Sequence, residues 1–456
     1  MYDVAIIGGG PGGYAAALYA HNFGLSVALV EKDKVGGTCL HRGCIPAKSW
    51  LNTAEVFQQV AHAADHGVIT SAPSLDWAKA LERKGRVVNQ LFTGLQGLLK
   101  KRGVEVIQGT GRLAGRGTVD VTLADGSSSR IEARNVIIGT GSVPRSIPGY
   151  EIDGERIVSS DHALDWTSRP ERVAIIGAGA IGAEFASMLI DLGSQVHLFE
   201  VVDQVLPGAE PRAARLLQKS FTDKGMQVHT GVGVGPPQIV SGGVVVPFGD
   251  ESVEVDVVLV AVGRAPVTSG LGLEEAGVVL DRGFVVADLE TMLTGAPNVY
   301  AVGDIVAGTP QLAHAGFAEG ISAITHIATG TAAPTDYRAI PLVVYTHPEV
   351  ASVGLTEQQA KDAGYDVVVT DHPFAGAGRA IIKGETGMAR VVVQRDGPIL
   401  GATVVGSIAG ETIHELMYAV GWEALPSEAA AFIHAHPTMA EAVGETLLAA
   451  AGRSLH

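Results

Sequence analysis

Part of this chain is written twice. Val4-Ala5-Ile6-Ile7-Gly8 returns as Val173-Ala174-Ile175-Ile176-Gly177, an offset of 169 residues. The same offset carries Gly10 onto Gly179, Gly13 onto Gly182, Gly24 onto Gly193, Val27 onto Val196 and Glu31 onto Glu200. Each copy reads as a buried strand, a GxGxxG turn, an alanine-rich helix and a second strand ending in Glu. In such a unit the first glycine allows the tight turn and the second admits a pyrophosphate. The third lets helix and strand pack closely. The helix N-terminus then offers free N–H groups to phosphate. Glu31 and Glu200 stand 23 residues past their first glycines, at a strand tip where a carboxylate accepts from a ribose 2′-hydroxyl. Two dinucleotide sites are expected. A duplicated domain with one silent copy is the competing reading, but both copies keep every expected residue.

Glu200 also bears on which dinucleotide the second copy takes. A carboxylate there repels a 2′-phosphate, and Val201-Val202-Asp203-Gln204 offers no cation to receive one. NAD is expected over NADP.

The length of 456 residues predicts roughly three domains at about 150 residues each. Apolar content of 46% is ample for large cores. The formal charge of −16 argues against nucleic acid and against anionic membranes, both of which select basic surfaces. No apolar run approaches a bilayer span, and Met1 leads directly into a strand without a signal-like segment. A cytoplasmic enzyme is expected. Its reducing surroundings suit a disulfide that cycles.

The chain has two cysteines, Cys39 and Cys44, in Gly36-Gly37-Thr38-Cys39-Leu40-His41-Arg42-Gly43-Cys44-Ile45-Pro46-Ala47-Lys48. A secreted scaffold would carry many more. One close pair soon after a glycine-rich nucleotide loop reads as a redox-active disulfide, which stores two electrons as a dithiol. Two buried structural cysteines would look the same by spacing alone. Two dinucleotide sites beside one cysteine pair suit a relay from nicotinamide through a flavin to sulfur. FAD is expected in the first site, which the cysteines closely follow, and NAD in the second.

With those motifs the chain resembles the FAD-dependent pyridine-nucleotide disulfide oxidoreductases, and within them the dihydrolipoyl dehydrogenase branch. The resemblance spans essentially the whole chain. Beyond the glycine loops and the cysteines it rests on Ala301-Val302-Gly303-Asp304 and on His434-Ala435-His436-Pro437-Thr438-Met439-Ala440-Glu441. It implies an α/β fold of two Rossmann-like dinucleotide-binding domains, for FAD and NAD, plus a C-terminal α/β dimerisation domain. The implied layout is 1–148 for the first FAD-binding segment, 149–267 for NAD, 268–335 for the second FAD/central segment and 336–456 for dimerisation.

The resemblance implies roles residue by residue. Cys39 exchanges with substrate sulfur, and Cys44 lies against the flavin. Lys48, one helical turn after Cys44, lies near the flavin and pairs with the acid Glu184. FAD is expected to contact Gly8, Gly10, Gly13, Glu31, Gly37, Thr38 and Lys48. Further contacts are expected from Thr140-Gly141-Ser142, Gly303, Asp304 and Leu312-Ala313-His314. For NAD the residues are Gly177, Gly179, Ile181, Gly182, Glu184, Glu200 and Gly263. Arg264 belongs to the same junction segment, with a surface role open, and for His314 a merely structural role stands level with direct contact. His436 is the expected acid–base, its ordinary pKa lying near neutrality. Glu441 is expected to orient it. His434 is the ordinary histidine beside it. The His436–Pro437 bond is a candidate for cis, as X-Pro bonds permit. No metal is expected.

The implied partners are a second copy of the chain and the lipoyl domain of a 2-oxo acid dehydrogenase or glycine cleavage complex. Competing readings are a glutathione reductase-like or mercuric reductase-like enzyme, or a non-catalytic scaffold flavoprotein. The first wants cations near Glu200, and the second usually carries further C-terminal cysteines. The third has no need of Cys39, Cys44, His436 and Glu441 together. Coarser expectations are helix across 50–101, short strands within Val104–Val121 and Ile131–Ile138, a strand leading into Gly303-Asp304, and a linker at Thr331–Thr335. Last come strands near Ala351–Gly354, Val367–Val369, Ala389–Gln394 and Gly401–Val405.

Overall fold

Tyr2–Ile7 forms a strand whose Val4, Ala5 and Ile6 are wholly buried. A run apolar on both faces belongs in the middle of a parallel sheet covered on both sides. It pairs in parallel with Val27–Glu31 (Val4 opposite Val27) and with Ser128–Ile138 (Ile7 opposite Ile138). Glu105–Gly115 and Val299–Ala301 extend the parallel sheet on its two sides. The far halves of Glu105–Gly115 and Ser128–Ile138 continue into an antiparallel meander with Thr118–Leu123. The helix Pro11–Ala20 begins with proline at its first position, where the missing N–H costs nothing. The helix Ala313–Thr329 packs against it.

The computed structural model describes residues 1–455, which divide into two units. The sheet above belongs to the first, made of Met1–Ser49, Leu81–Arg145 and Gly263–Tyr337. The second comprises Trp50–Ala80, Ser146–Val262 and the chain from Arg338 onward.

The second unit holds two sheets of different character. One is five parallel strands in the order Gln227–Thr230, Gln195–Glu200, Arg172–Ile176, Val257–Val260, Ile157–Val158. Its buried face is shared with an antiparallel meander of Gln238–Val240, Gly243–Phe248 and Glu251–Val255. The other is antiparallel, in the order Leu342–Val344, Glu349–Gly354, Ile399–Gly406, Met388–Gln394, Val367–Pro373. The helices Ala409–Gly421 and Glu441–Ala450 close its core. Arg390, its side chain only 11% exposed, bridges Glu210, Glu357 and Asp371.

The expectation of continuous helix over 50–101 is corrected. Helix runs over Cys44–Ala61 and Trp77–Lys101, with a short 3-10 turn at Ala63–His66 and irregular chain over 67–76. Gly67 ends the turn in the left-handed region, at φ 77°. Pro73 disfavours helix for the residue before it. Asp76 then restarts the helix, its carboxylate accepting the Lys79 N–H at 3.0 Å. Apolar spacing is similar on both sides of the break, which is why it hid there. Thr331–Thr335 is irregular chain, as a linker should be. Among the described residues no helix is long and apolar enough to cross a membrane.

Candidate functional site

In the first unit the glycines of the first loop divide their work. Gly8 turns at φ 105°, and a Cβ on Gly13 would lie 1.9 Å from the Gly8 carbonyl oxygen. Gly10, between them, faces open space. A ligand backbone can therefore approach only at Gly10, while the other two hold the turn and the helix contact. Glu31 reaches back to the loop, accepting the Gly9 N–H at 2.6 Å and the Asp33 N–H at 2.8 Å. Its carboxylate is buried and fixed at the strand tip.

The cysteine motif is fastened to this same loop. The Gly36 N–H donates to the Gly9 carbonyl at 2.7 Å. Gly37 and Thr38 open the short helix Gly37–Arg42 that carries Cys39, and Cys44 starts the helix Cys44–Ala61 that carries Lys48. Both cysteines are partly buried thiols. The hydrogen bond with Cys44, reinforced by burial, pushes the Cys39 thiol up, while the Lys48 ammonium pulls the other way. A thiol held protonated needs a base before it can act as a nucleophile.

Further along, the strand Val299–Ala301 delivers Gly303 and Asp304. The Asp304 carboxylate accepts the Ser142 hydroxyl. Arg264 donates to both Ser142 Oγ and the Ser142 carbonyl at 2.7 Å. Arg264 therefore does not stand free at the surface: it buttresses Ser142 within the first unit. Thr140 donates to the Val267 carbonyl at 2.6 Å, and Gly141 and Gly303 both face open space. Leu312 is the cap of the helix Ala313–Thr329, so Ala313 and exposed His314 lie in its first turn. Open glycines at 10, 141 and 303, with Glu31 at the strand tip, fit an extended dinucleotide.

The second unit repeats the first loop closely. Gly177 turns at φ 99°, a Cβ on Gly182 would lie 1.8 Å from the Gly177 oxygen, and Gly179 is open. Glu200 accepts the Ala178 N–H at 2.8 Å and the Val202 N–H at 3.2 Å. Val201, beside it, is 72% exposed, so the rim at the strand tip is apolar and acidic. Ile181 and buried Glu184 lie in the helix Ala180–Asp191. Glu184 accepts the Tyr345 N–H at 3.1 Å. Gly263 turns at φ 109° with open space before it and accepts the Arg145 N–H at 3.0 Å, within the first unit.

At the end of the chain, His436 Nδ1 meets Glu441 Oε1 at 2.7 Å. The Thr438 N–H holds the other carboxylate oxygen at 2.7 Å. That N–H, with His436, keeps the Glu441 carboxyl below its ordinary range. The ring is 79% exposed. The His436–Pro437 bond is cis. His434 points elsewhere, to Glu415 at 2.7 Å.

Two residues escaped the reading of the sequence. Tyr14, next to Gly13, lies close enough to both thiols to feel them. Burial first, then Cys39 and Cys44, push its hydroxyl up to about 12. Its ring meets Phe317 at 5.5 Å. Glu319 is wholly buried beneath Gly303. Position next to a glycine loop was a signal for Tyr14. Glu319 looked like one more helix acid.

Residues 2–320 match the profile of the pyridine nucleotide-disulphide oxidoreductases, and residues 340–447 match the dimerisation domain of that family. The chain is 39% identical to the dihydrolipoyl dehydrogenase of Bacillus subtilis, over 100% of this chain and 99% of that protein. It is 39% identical to the dihydrolipoyl dehydrogenase of Haloferax volcanii, over 100% and 97%. Among solved structures it is similar to LpdA from Mycobacterium tuberculosis, with a TM-score of 0.90, 28% identity and coverage of 97% and 98%.

Proposed function

The chain belongs to the pyridine nucleotide-disulphide oxidoreductases, and from that premise we propose that it is a dihydrolipoyl dehydrogenase. It reoxidises protein-bound dihydrolipoamide through Cys39 and Cys44, with FAD in the first dinucleotide site and NAD in the second. Segments 1–148 and 268–335 are assigned to FAD, 149–267 to NAD and 336–456 to dimerisation. The observation that carries the reading is the bond from Gly36 to Gly9, which puts the cysteine motif on the first nucleotide loop.

The sulfur chemistry runs as an exchange. A substrate thiol gives its proton to His436 Nε2, its thiolate attacks Cys39 Sγ of the disulfide, the S–S bond breaks, and Cys44 leaves as thiolate. The second substrate thiol then attacks the mixed disulfide, and its proton passes to the departing Cys39 sulfur. The lipoyl ring closes and Cys39 is released. Two electrons and two protons have then left the substrate. Glu441 holds the His436 ring by Nδ1 and stabilises its charge. Lys48 supplies positive charge that favours the thiolate form of Cys39. Bound FAD supplies the electron route from the dithiol to NAD. Glu200 and the cation-free run after it select NAD over NADP.

The chain acts as a homodimer on a lipoyl domain, in the cytoplasm. Purified protein should reduce NAD with dihydrolipoamide, and do so far better than it reduces glutathione disulfide with NADPH. The opposite ranking rejects the proposal.

A further inference from the structure

Glu319 has no part in the chemistry above, yet its carboxyl is 0% exposed. Burying a carboxyl is costly unless its oxygens are used. Both are. Oε2 accepts the Gly303 N–H at 2.5 Å, and Oε1 accepts the Tyr337 hydroxyl at 3.1 Å. The Thr309 hydroxyl also reaches it. These donors are neutral. Burial, with the nearby charge of Asp304 adding to it, pushes Glu319 up to about 7 despite all three.

The location gives that expense a purpose. The Val302 N–H makes the last bond to the sheet, to Ile138 at 2.9 Å. The next N–H, of Gly303, has left the ladder, and Gly303 turns into the left-handed region at φ 77°. Glu319 takes that N–H. It can do so because its helix is pressed against the first glycine loop. A Cβ on Gly320 would lie 2.5 Å from the Gly12 carbonyl oxygen, and one on Gly316 would lie 3.4 Å from Gly303 Cα. From the other side Ser142 donates to the Asp304 carboxylate, and Gln311 donates to the Asp304 carbonyl at 3.2 Å. The turn is held at its first residue by Glu319 and at its second by Ser142 and Gln311.

We propose that Glu319 is a positioning residue for the flavin, fixing the Gly303–Asp304 turn so that Asp304 faces the cofactor. The inference rests on the reading that this turn receives FAD, and the test separates the two. Apo-protein is prepared from the native chain and from Glu319→Asp, Glu319→Gln and Asp304→Asn. FAD affinity is then read from flavin fluorescence, and the FAD-induced rise in Tm serves as a second readout. The Asp variant keeps the charge but withdraws it by one methylene from Gly303. It should bind FAD roughly tenfold or more weakly, as expected for leaving the Gly303 N–H without its acceptor. The Gln variant keeps an acceptor within reach and should stay within about threefold of native, because the interaction needed is a bond and not a charge.

Native-like FAD affinity in Glu319→Asp, with Asp304→Asn weakened, overturns the proposal and leaves the reading of the turn intact. Equal weakening in the Gln and Asp variants also overturns it. Native-like affinity in Asp304→Asn rejects the turn as the flavin site. Should Glu319→Asp fail to fold, Tyr337→Phe loosens the carboxylate from its far side. That variant should weaken FAD by about threefold, and unchanged affinity overturns the proposal.

Discussion

Cys39 and Cys44 are the same residue type in different settings. Cys39 sits inside a short helix and Cys44 opens a long one whose next turn carries Lys48. That asymmetry gives the two sulfurs different surroundings. Cys39→Ser and Cys44→Ser should each lower dihydrolipoamide turnover by at least about a thousandfold, since a hydroxyl cannot complete the disulfide. NADH-to-dye activity should persist, because the hydride route does not pass through sulfur. Both rates are read in one spectrophotometric assay, and substantial dihydrolipoamide turnover in either variant removes the pair from the mechanism.

Glu349 makes a different point at the same scale. Burial, then Glu411, Glu55 and Glu385, push its carboxyl up to about 7, although it accepts the Gly410 N–H at 2.8 Å. A carboxyl raised above its unfolded value keeps its proton longer in the native state. Its contribution to stability is therefore complete below about pH 4.5 and is lost as pH rises through about 7. Glu349→Gln keeps an acceptor for Gly410 and removes the charge. It should leave stability near pH 4 unchanged and raise it by about 2 kcal/mol near pH 8. Thermal melts at the two pH values test this; an equal Tm change at both would contradict it.

Among the elements, the two strand–loop–helix units are the proposed dinucleotide sites, and their third glycines are the least replaceable. A Cβ at Gly182 would meet the backbone oxygen of Gly177 at 1.8 Å, with no flexible side chain to yield. Gly182→Ala should cost roughly 1–3 kcal/mol of stability. It should also weaken NADH binding at least about tenfold by displacing the loop, while flavin stays bound in the first unit. NADH titration and flavin content of the purified variant are the measurements, and native NADH affinity would contradict it. Other elements were readable to different depths. Ala389–Gln394 and Gly401–Val405 were expected as strands, and the observed ones, Met388–Gln394 and Ile399–Gly406, enclose them. The break at 67–76 was missed, because the helices on its two sides share one apolar spacing and the signals that stop them are local.

For the whole molecule, the end of the chain is the informative part. His436 is exposed, and beside it Phe432 is 78% and Ile433 98% exposed. Apolar side chains of that size at a surface call for a partner, and the region lies in the dimerisation domain. On the proposed function, His436 serves the thiols of the other chain of a two-fold dimer. Mixed dimers of Cys39→Ser and His436→Gln chains, each nearly inactive alone, should regain activity. If the base acts across the interface, one site carries both lesions and the other none, so about half the native rate per dimer returns. A mixture that stays inactive places base and thiols in one chain.

The repeat at an offset of 169 residues, the paired cysteines and the His–Glu spacing were legible because each depends on local chain geometry. A strand, a turn and a helix within about 25 residues need particular residue types at particular intervals. The sequence alone was therefore enough for two dinucleotide units, for the residue at each loop position and for a carboxylate within reach of His436. What depends on distant segments stayed hidden. Gly36 bonding Gly9, Arg264 buttressing Ser142, and Glu319 taking an N–H sixteen residues before it all arise from packing. In the sequence Glu319 is one more acid of a helix, and Arg264 is compatible with a surface cation. Tertiary structure decided their roles, because burial turns an unused polar group into a cost and so gives each one a specific partner.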